Sequence, residues 1–184
     1  MEYLAGKLLI ASPYLPDPNF NRTVVLMIQH DDDGALGLVL TRPSEITVAQ
    51  IWEQVSHETV DDTTPVYLGG PVQGPLMAVH TVPEHGEIEP VPGVYFATDK
   101  DHLESIVHDR RQPYRLFLGY SGWGAQQLEA EMEVGGWLTL PAQPKHIFEL
   151  DCDDLWKMVT GNVGASIIQD SLHLKNMPDD PSLN

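Results

Sequence analysis

The residues with the clearest potential for chemistry form the run Gly119-Tyr120-Ser121-Gly122-Trp123-Gly124. A nucleophile elbow requires G-x-S-x-G, because the second glycine admits a sharp turn beside the serine. Trp123 occupies that glycine's position here. A dinucleotide-binding fingerprint requires G-x-G-x-x-G, and Gln127 stands in place of its third glycine. Neither enzyme motif is complete.

This run lies between a predicted strand at 114–120 and a predicted helix at about 124–134. The backbone N–H groups of residues 122–125 would then mark a helix start, where they could hold an anion or a ligand carbonyl. Alternatively, the glycines only let the chain turn tightly beneath Trp123. The sequence leaves both interpretations open. The candidate contact residues are Tyr120, Ser121, Gly122, Trp123 and Gln127.

A second glycine cluster, Gly69-Gly70-Pro71, follows a short predicted strand at 66–68. Paired glycines permit a ligand or another backbone segment to approach closely. The alternative is a turn that ends the strand and is stiffened by Pro71. The cluster lacks the Lys-Ser/Thr end of a phosphate-binding loop, so it does not predict a nucleotide site.

Two arginines flank the strongest predicted hairpin. Arg22 precedes the apolar strand 23–30, and Arg42 follows the partner strand 35–41. Because a hairpin returns the chain to its starting edge, we expect both guanidinium groups near the same end of the sheet. Such a pair could clamp a carboxylate or a phosphate. Alternatively, Arg22 pairs with Asp17 and fixes the preceding loop.

The other titratable residues predict no catalytic or metal centre. The eight histidines include no H-E-x-x-H pair. His80 lies inside an apolar strand, where a hydrogen-bonded residue at the edge of the core is expected. The acidic neighbours of the single cysteine, Cys152, should raise the pKa of its thiol. We therefore predict no catalytic residue, no metal ligand and no cofactor.

Apolar spacing and capping residues predict the remaining elements. Ser44 or Thr47 can cap one helix, and Asp99 can cap a second helix near 100–110. Residues 83–93 contain three prolines and two glycines, which predicts an irregular segment. Hairpins with scattered helices, without regular βαβ alternation, favour an α+β fold. Further strands are predicted at 7–11, 76–82, 94–98 and 137–142, and a last helix at 152–160.

Length and charge narrow the function classes. The chain has 184 residues, and we predict a single domain over 1–175 with a disordered tail over 176–184. It carries 10 Lys and Arg against 27 Asp and Glu, a formal net charge of −17. This acidity disfavours direct binding to nucleic-acid phosphates. No segment approaches the ~20 apolar residues of a membrane span, and the N-terminus lacks the basic start of a signal peptide, so a cytoplasmic location is expected.

Four segments, taken in chain order, resemble one bacterial family. They are Leu8–Ala11 continuing through Arg22 to Val25, then Gly34–Pro43, then Gly69–Val72, and then Gly119–Ala125 with Gln127-Leu128-Glu129 and Trp137-Leu138. On these segments the chain resembles the YqgE/AlgH family. Ser12, Gln126 and Gly135 depart from the family's usual Met, Gly and Asn.

The resemblance implies an α+β fold in which a bent, mainly antiparallel sheet curls into a pseudo-barrel with flanking helices. It implies a cytosolic bacterial protein and supplies no reaction, catalytic residue or cofactor. Some family members are described as transcriptional regulators, a label tied to alginate production. This sequence contains no helix-turn-helix and no basic surface for reading DNA.

We therefore favour a non-enzymatic regulatory or adaptor domain that binds a protein or a small ligand. One alternative is an enzyme acting on a small anionic metabolite, anchored by two arginines, with Tyr120 or Ser121 at its centre. A second alternative, a direct DNA-binding transcriptional regulator, is disfavoured by the net charge of −17. The candidate binding residues are Arg22, Arg42, Gly69, Gly70, Tyr120, Ser121, Gly122, Trp123 and Gln127.

Overall fold

The structure is a computed structural model that describes residues 3–12, 15, 17–109 and 111–161. The predicted tail at 176–184 and the predicted domain end at 175 lie outside these residues. Within the described ranges, no helix combines the length and the apolar character needed to cross a membrane.

Ten strands form one sheet in the described part of the chain. They are β1 (Lys7–Ala11), β2 (Val24–Asp31), β3 (Gly34–Val39), β4 (Pro43–Thr47), β5 (Pro65–Leu68), β6 (Val72–His80), β7 (Ile88–Val91), β8 (Val94–Ala97), β9 (Tyr114–Gly124) and β10 (Trp137–Pro141). Their order is β10-β1-β2-β3-β9-β6-β8-β7, with β5 beside β9 and β4 beside β5. The β5–β9 pair is parallel, and the other pairs are antiparallel.

The helices begin where the sequence supplies capping groups. Thr47 and Gln50 form a capping box at the start of the first helix, and the Asp99 carboxylate accepts N–H groups of the second. The α-helices are α1 (Val48–Ser56), α2 (Lys100–His108), α3 (Gln127–Glu133), α4 (Pro144–Phe148) and α5 (152–161). Two short 3₁₀ helices span Pro18–Phe20 and Pro83–His85.

The sheet curls until its two ends approach each other. β2 contacts β7 across the interior, and a Cβ atom added to Gly6 would lie 2.3 Å from the Pro90 carbonyl oxygen. The result is a half-barrel with helices outside. This confirms the predicted α+β fold with a bent, mainly antiparallel sheet.

Three buried clusters of apolar residues hold the fold together. The largest fills the half-barrel and includes Leu8, Leu26 and Phe117. A second packs α1 and α2 against the sheet through Trp52 and Ile106. The third joins Phe20, Trp123 and Trp137 to α3 and the first strands. β9 borders all three clusters, so its side chains are fixed by packing on both faces.

The hairpin of β2 and β3 is confirmed, with Asp31 opposite Gly34. One other expectation is wrong. Residues 83–93 are not wholly irregular, because they contain a 3₁₀ helix and β7. β7 pairs with β8 and has no second neighbour in the sheet order, which is where a strand tolerates Pro90. After Arg42 the chain continues as β4, which the sequence did not predict and which pairs with β5.

Candidate functional site

The run Gly119–Gly124 belongs to β9 and is not a strand-to-helix turn. It pairs with β3 in antiparallel register, with Ser121 opposite Gly37 and Gly124 opposite Gly34. Helix α3 begins only at Gln127, after a left-handed Gln126 with φ 62°. The prediction that the N–H groups of residues 122–125 form a helix start is therefore wrong. The physical reason is that β3 provides a partner strand, so the backbone stays extended.

The glycines Gly69 and Gly70 lie directly against the backbone of β9. A Cβ atom added to Gly69 would lie 2.3 Å from the Gly119 carbonyl oxygen, and one added to Gly70 would lie 2.3 Å from the Tyr120 carbonyl carbon. The Gly69 N–H donates to the Leu118 carbonyl at 2.9 Å. The two glycines therefore allow a second backbone segment, β9, to approach closely. The sequence alone left open whether a ligand or another backbone segment would do so.

The side chains of Tyr120 and Ser121 hold the same junction from opposite faces of β9. Ser121 is fully buried, and its hydroxyl donates to the Gly69 carbonyl at 3.0 Å. The half-buried Tyr120 ring covers two glycines, since Cβ atoms added to Gly74 and Gly122 would each lie 3.0 Å from it. The buried Ser121 hydroxyl therefore has a structural partner, while the Tyr120 ring forms part of the surface.

Trp123 and Gln127 meet at a carboxylate that the sequence did not single out. The Glu131 side chain accepts the indole N–H of Trp123 at 3.0 Å and that of Trp137 at 2.8 Å. It also accepts the amide of Gln127 at 3.1 Å, and Gln127 in turn accepts the Gly124 N–H at 3.1 Å. These contacts join α3 to β9 and β10, and they use the polar groups of both candidate residues for internal bonds.

The two candidate arginines flank the hairpin as predicted but engage different neighbours. Arg22 has a left-handed backbone with φ 54°, and its guanidinium carbon lies 5.8 Å from the centre of the Trp156 ring. The described residues show no ion pair between Arg22 and Asp17, which instead accepts the Asn19 N–H at 2.8 Å. Arg42 is half-buried, and its carbonyl accepts the Leu68 N–H at 2.8 Å.

An open groove of about 370 Å³ lies beside the glycine junction. Leu68 is 44% exposed and Val72 is 37% exposed, although both are apolar. None of the described lining residues carries an ionisable side chain. They are Leu68, Gly70, Pro71, Val72, Gln73, Gly74, Leu118 and Gly119. Such a lining can hold an apolar group but supplies no acid, base or nucleophile.

Burial and the nearby Arg115, in addition to the acidic neighbours, influence the pKa of Cys152. Burial raises the pKa of the Cys152 thiol, the charge of Arg115 opposes this shift, and Asp151 and Asp153 add to it. The Arg115 guanidinium carbon lies 4.7 Å from the centre of the Tyr67 ring, and one of its nitrogens donates to the Leu150 carbonyl at 3.0 Å. Burial lowers the pKa of Arg115. The direction agrees with the expectation for the thiol, but burial and not the acidic neighbours is its main cause. A raised pKa lowers the fraction of reactive thiolate at neutral pH.

One group of side chains in the described residues could hold a cation. Glu58, Glu104 and His108 each offer a donor atom within 4.8 Å of the others. All three residues are exposed, and His108 Nε2 lies 3.2 Å from a Glu58 carboxylate oxygen. The group lies beside α1 and α2, away from the candidate residues named from the sequence. Its exposure and its existing hydrogen bond provide no separate sign of a bound ion.

A family model described as AlgH-like matches residues 8–168. The chain belongs to the AlgH-like family. A UPF0301 protein of Chlorobaculum tepidum is 35% identical over 188 residues, covering 97% of this chain and 95% of that protein. A UPF0301 protein of Xanthomonas campestris is 36% identical over 173 residues, covering 90% and 92%.

Two solved structures share this fold. The solution structure of the AlgH protein from Pseudomonas aeruginosa superposes with a TM-score of 0.75 at 32% identity, covering 91% of this chain and 93% of that chain. The crystal structure of a Corynebacterium diphtheriae protein gives a TM-score of 0.63 at 25% identity, with 86% of each chain covered. The predicted YqgE/AlgH resemblance is confirmed, and so is the bacterial family.

The sequence pointed to the glycine segments as candidates but missed two exposed apolar residues beside them, Leu68 and Val72, and the carboxylate of Glu131. Leu68 precedes the glycine pair and Val72 follows Pro71, and their apolar type predicts burial, not exposure. Glu131 lies on the predicted helix after Trp123, and its spacing of i, i+4 from Gln127 was the one available signal. Its contact with Trp137 requires the return of the chain as β10.

Proposed function

We propose that this AlgH-like chain is a cytoplasmic, non-enzymatic binding protein of regulatory or adaptor type. Its ligand is an extended segment of a partner protein with an apolar side chain and flanking basic residues. The observation that carries the proposal is the open groove at Leu68–Gly74, which exposes two apolar side chains and lacks any ionisable lining residue.

The backbone beside the groove supports an extended ligand. The register between β6 and β9 shifts between Val72 and Leu76, so three exposed residues, 73–75, correspond to the single residue Gly119 on β9. Main-chain groups at such a bulge could bond an added peptide segment, and the neighbouring apolar recess can take one side chain. The preference for basic flanking residues follows from the net charge of −17.

The enzyme alternative has less support. Ser121 is buried with its hydroxyl bonded to Gly69, and Gln127 is bonded to Glu131. The groove lining supplies no ionisable group to act as acid or base. Direct DNA binding has the least support, because a net charge of −17 repels phosphates.

Peptide selection tests this proposal. A displayed library of random peptides would be selected on the full chain and counter-selected on a Leu68→Asp variant. We expect enriched peptides with one large apolar residue between Lys or Arg residues. Leu68→Asp and Val72→Asp should each weaken their binding at least about tenfold, because a buried carboxylate without a partner is costly.

Val134→Asp is the matched control, since Val134 is also an apolar surface residue, 73% exposed, on the C-terminal side of α3. It should leave peptide affinity unchanged, and chemical unfolding should show that all three variants fold. Selection that enriches no peptide, or peptides that bind Leu68→Asp as tightly as the natural chain, would overturn the proposal. Nuclear magnetic resonance shifts at 68–74 caused by a small-molecule fragment mixture alone would instead favour a small ligand.

A further inference from the structure

A cluster of three histidines covers the end of β6, on a part of the molecule separate from the groove. His80 ends β6 and is completely buried. His85 belongs to the 3₁₀ helix Pro83–His85, and His102 belongs to α2; their ring centres lie 5.5 Å apart. Glu87 approaches from the chain before β7, with a carboxylate oxygen 3.7 Å from His102 Nδ1.

The hydrogen bonding of His80 fixes its protonation state. Its Nδ1 accepts the backbone N–H of Val82 at 3.2 Å, so Nδ1 carries no proton and the neutral ring holds its proton on Nε2. Nε2 is buried and makes no hydrogen bond within the described residues. Val82 is the residue that caps the 3₁₀ helix. The neutral imidazole is therefore the acceptor that anchors the start of this helix to β6.

We propose that His80 is a pH-sensitive latch whose protonation releases the 3₁₀ helix Pro83–His85 from the sheet. A second proton on this ring must go to Nδ1, which converts the acceptor into a donor facing the Val82 N–H. Two donors cannot share a hydrogen bond, so the anchor is lost. Protonation also places a charge on a fully buried ring, and displacement of residues 82–86 exposes that charge to water.

Groups from every neighbouring element set the charge around the ring. Burial, followed by the charges of His85 and His102, lowers the pKa of His80 to about 4. Glu87 and the backbone of His85 act in the opposite direction. Tyr95 of β8 lies with its ring centre 6.0 Å away, and Tyr114 of β9 is opposite His80 in register.

Hydrogen bonds favour the ionised form of Glu87. Burial raises its pKa, but hydrogen bonds from the Asp99 and Thr98 N–H groups and the Thr98 hydroxyl outweigh this effect, so its pKa is lowered overall. One carboxylate oxygen, Oε1, lies 2.7 Å from both N–H nitrogens. The Glu87 side chain is therefore held as an anion beside the histidine rings.

The direction of the switch follows from the lowered pKa. The latched state favours neutral His80, whereas the released state lets the ring titrate at its ordinary pKa, 6.5. The latch is therefore fully stable above pH 6.5 and weakens as the pH falls toward 4. A shift from 6.5 to about 4 corresponds to an increase of about 300-fold in the released population.

Hydrogen exchange on the full chain, with a chelator present throughout, measures this release. Protection factors corrected for intrinsic exchange would be recorded for residues 82–86 between pH 7.5 and 4. We expect protection of the Val82 amide to fall by up to about 300-fold, while amides in the buried strand β2 stay protected. Loss of protection in β2 together with 82–86 would mean general acid unfolding and would overturn the proposal.

Two variants distinguish release caused by protonation of His80 from a general effect of removing a histidine. His80→Asn keeps an acceptor oxygen near the position of Nδ1 but cannot be protonated, so protection at 82–86 should become independent of pH. His57→Asn is the control, because His57 is exposed at the end of α1 and has a left-handed backbone that asparagine tolerates. It should behave as the natural chain does.

Two neighbouring charged residues shift the pKa of His80 in opposite directions, so replacing them should have opposite effects on the release. His102→Gln removes a cation that disfavours protonation of His80 in the latched state, so the pKa of His80 should lie closer to its ordinary value and protection at 82–86 should fall less on acidification. Glu87→Gln removes an anion that favours this protonation, so protection should fall more, while the glutamine oxygen still accepts the Thr98 and Asp99 N–H groups. Unchanged pH dependence in His80→Asn, or shifts of the same sign in these two variants, would overturn the latch. A nitrogen-15 spectrum showing the proton of His80 on Nδ1 at pH 7.5 would do so as well.

Discussion

The Ser121 hydroxyl donates a 3.0 Å hydrogen bond to the Gly69 carbonyl, across 52 residues of sequence. This bond connects the two glycine-rich segments that the sequence offers as separate candidate sites. The Gly69 carbonyl also accepts the Val39 N–H at 2.9 Å. This one carbonyl, just after β5, is therefore bonded to both β3 and β9. The proposed peptide groove lies on the exposed side of this rigid junction, which gives it a preorganised wall.

Replacing Gly70 with alanine tests how closely this junction is packed. The new Cβ atom would lie 2.3 Å from the Tyr120 carbonyl carbon, so the backbone must move. We expect Gly70→Ala to lower the free energy of unfolding by about 3 kcal/mol, measured by urea denaturation. Gly124→Ala is the matched control, because a Cβ atom there meets nothing within 4 Å; it should change stability by less than about 0.5 kcal/mol. Equal losses for both glycines would contradict this packing.

Truncation of Glu131 should detach α3 from the tryptophans that it holds. Glu131→Ala leaves the indole N–H groups of Trp123 and Trp137, which are 5% and 2% exposed, without their acceptor. We expect a loss of about 2 kcal/mol in unfolding free energy and a change in tryptophan fluorescence. Glu133→Ala removes an exposed carboxylate from the same helix and should be nearly neutral. A fluorescence spectrum of Glu131→Ala identical to that of the natural chain would rule out the shared carboxylate.

Stability should depend on pH through His146. This residue is 3% exposed and its Nδ1 accepts the Gln143 N–H at 3.2 Å. Burial, followed by the charge of Lys145, lowers the pKa of His146. The folded chain thus favours the neutral ring, and the stabilisation is present above pH 6.5 and is lost as the pH falls below it. Unfolding free energies at pH 7.5 and 5.5 should differ less in His146→Asn than in the natural chain; an equal difference in both proteins would show that His146 makes no contribution.

The Cys152 thiol should react slowly with alkylating agents. Burial raises its pKa, and although Arg115 opposes this, Asp151 and Asp153 add to the increase. Since the thiolate is the nucleophile, we expect Cys152 to react with iodoacetamide at pH 7.5 several-fold more slowly than free cysteine. Arg115→Gln should slow the reaction further because it removes the one opposing charge. Reaction as fast as that of free cysteine would contradict the protected environment beside Tyr67.

Local sequence signals located most of the elements. The hairpin of β2 and β3 follows from two apolar runs around an acidic turn, although the register shift between Met27 and Gln29 could not be predicted from them. Thr47 and Asp99 begin helices because their side chains satisfy N–H groups that the helix itself cannot. These features depend on neighbours within a few residues, so the sequence contains the necessary information.

Signals that depend on distant partners were misinterpreted or missed. The glycines of Gly119–Gly124 suggest a turn, but β3 is available to pair with them and β9 continues for eleven residues. The exposure of Leu68 and Val72 depends on the interrupted register between β6 and β9. The hydrogen bond from the Trp137 indole to the Glu131 carboxylate forms only because β10 packs beside α3 in the folded chain.

The family, the α+β class, the acidic charge and the residues whose small size or capping ability shapes each segment can all be read from the amino-acid sequence. Which backbone approaches Gly69 and Gly70, which side chains share Glu131, and that His80 is fully buried emerge only in the folded chain. The difference lies in the sequence separation of the contacts. Caps and turns arise from contacts between near neighbours, whereas a groove, a shared carboxylate or a buried imidazole arises where segments far apart in the chain are packed together.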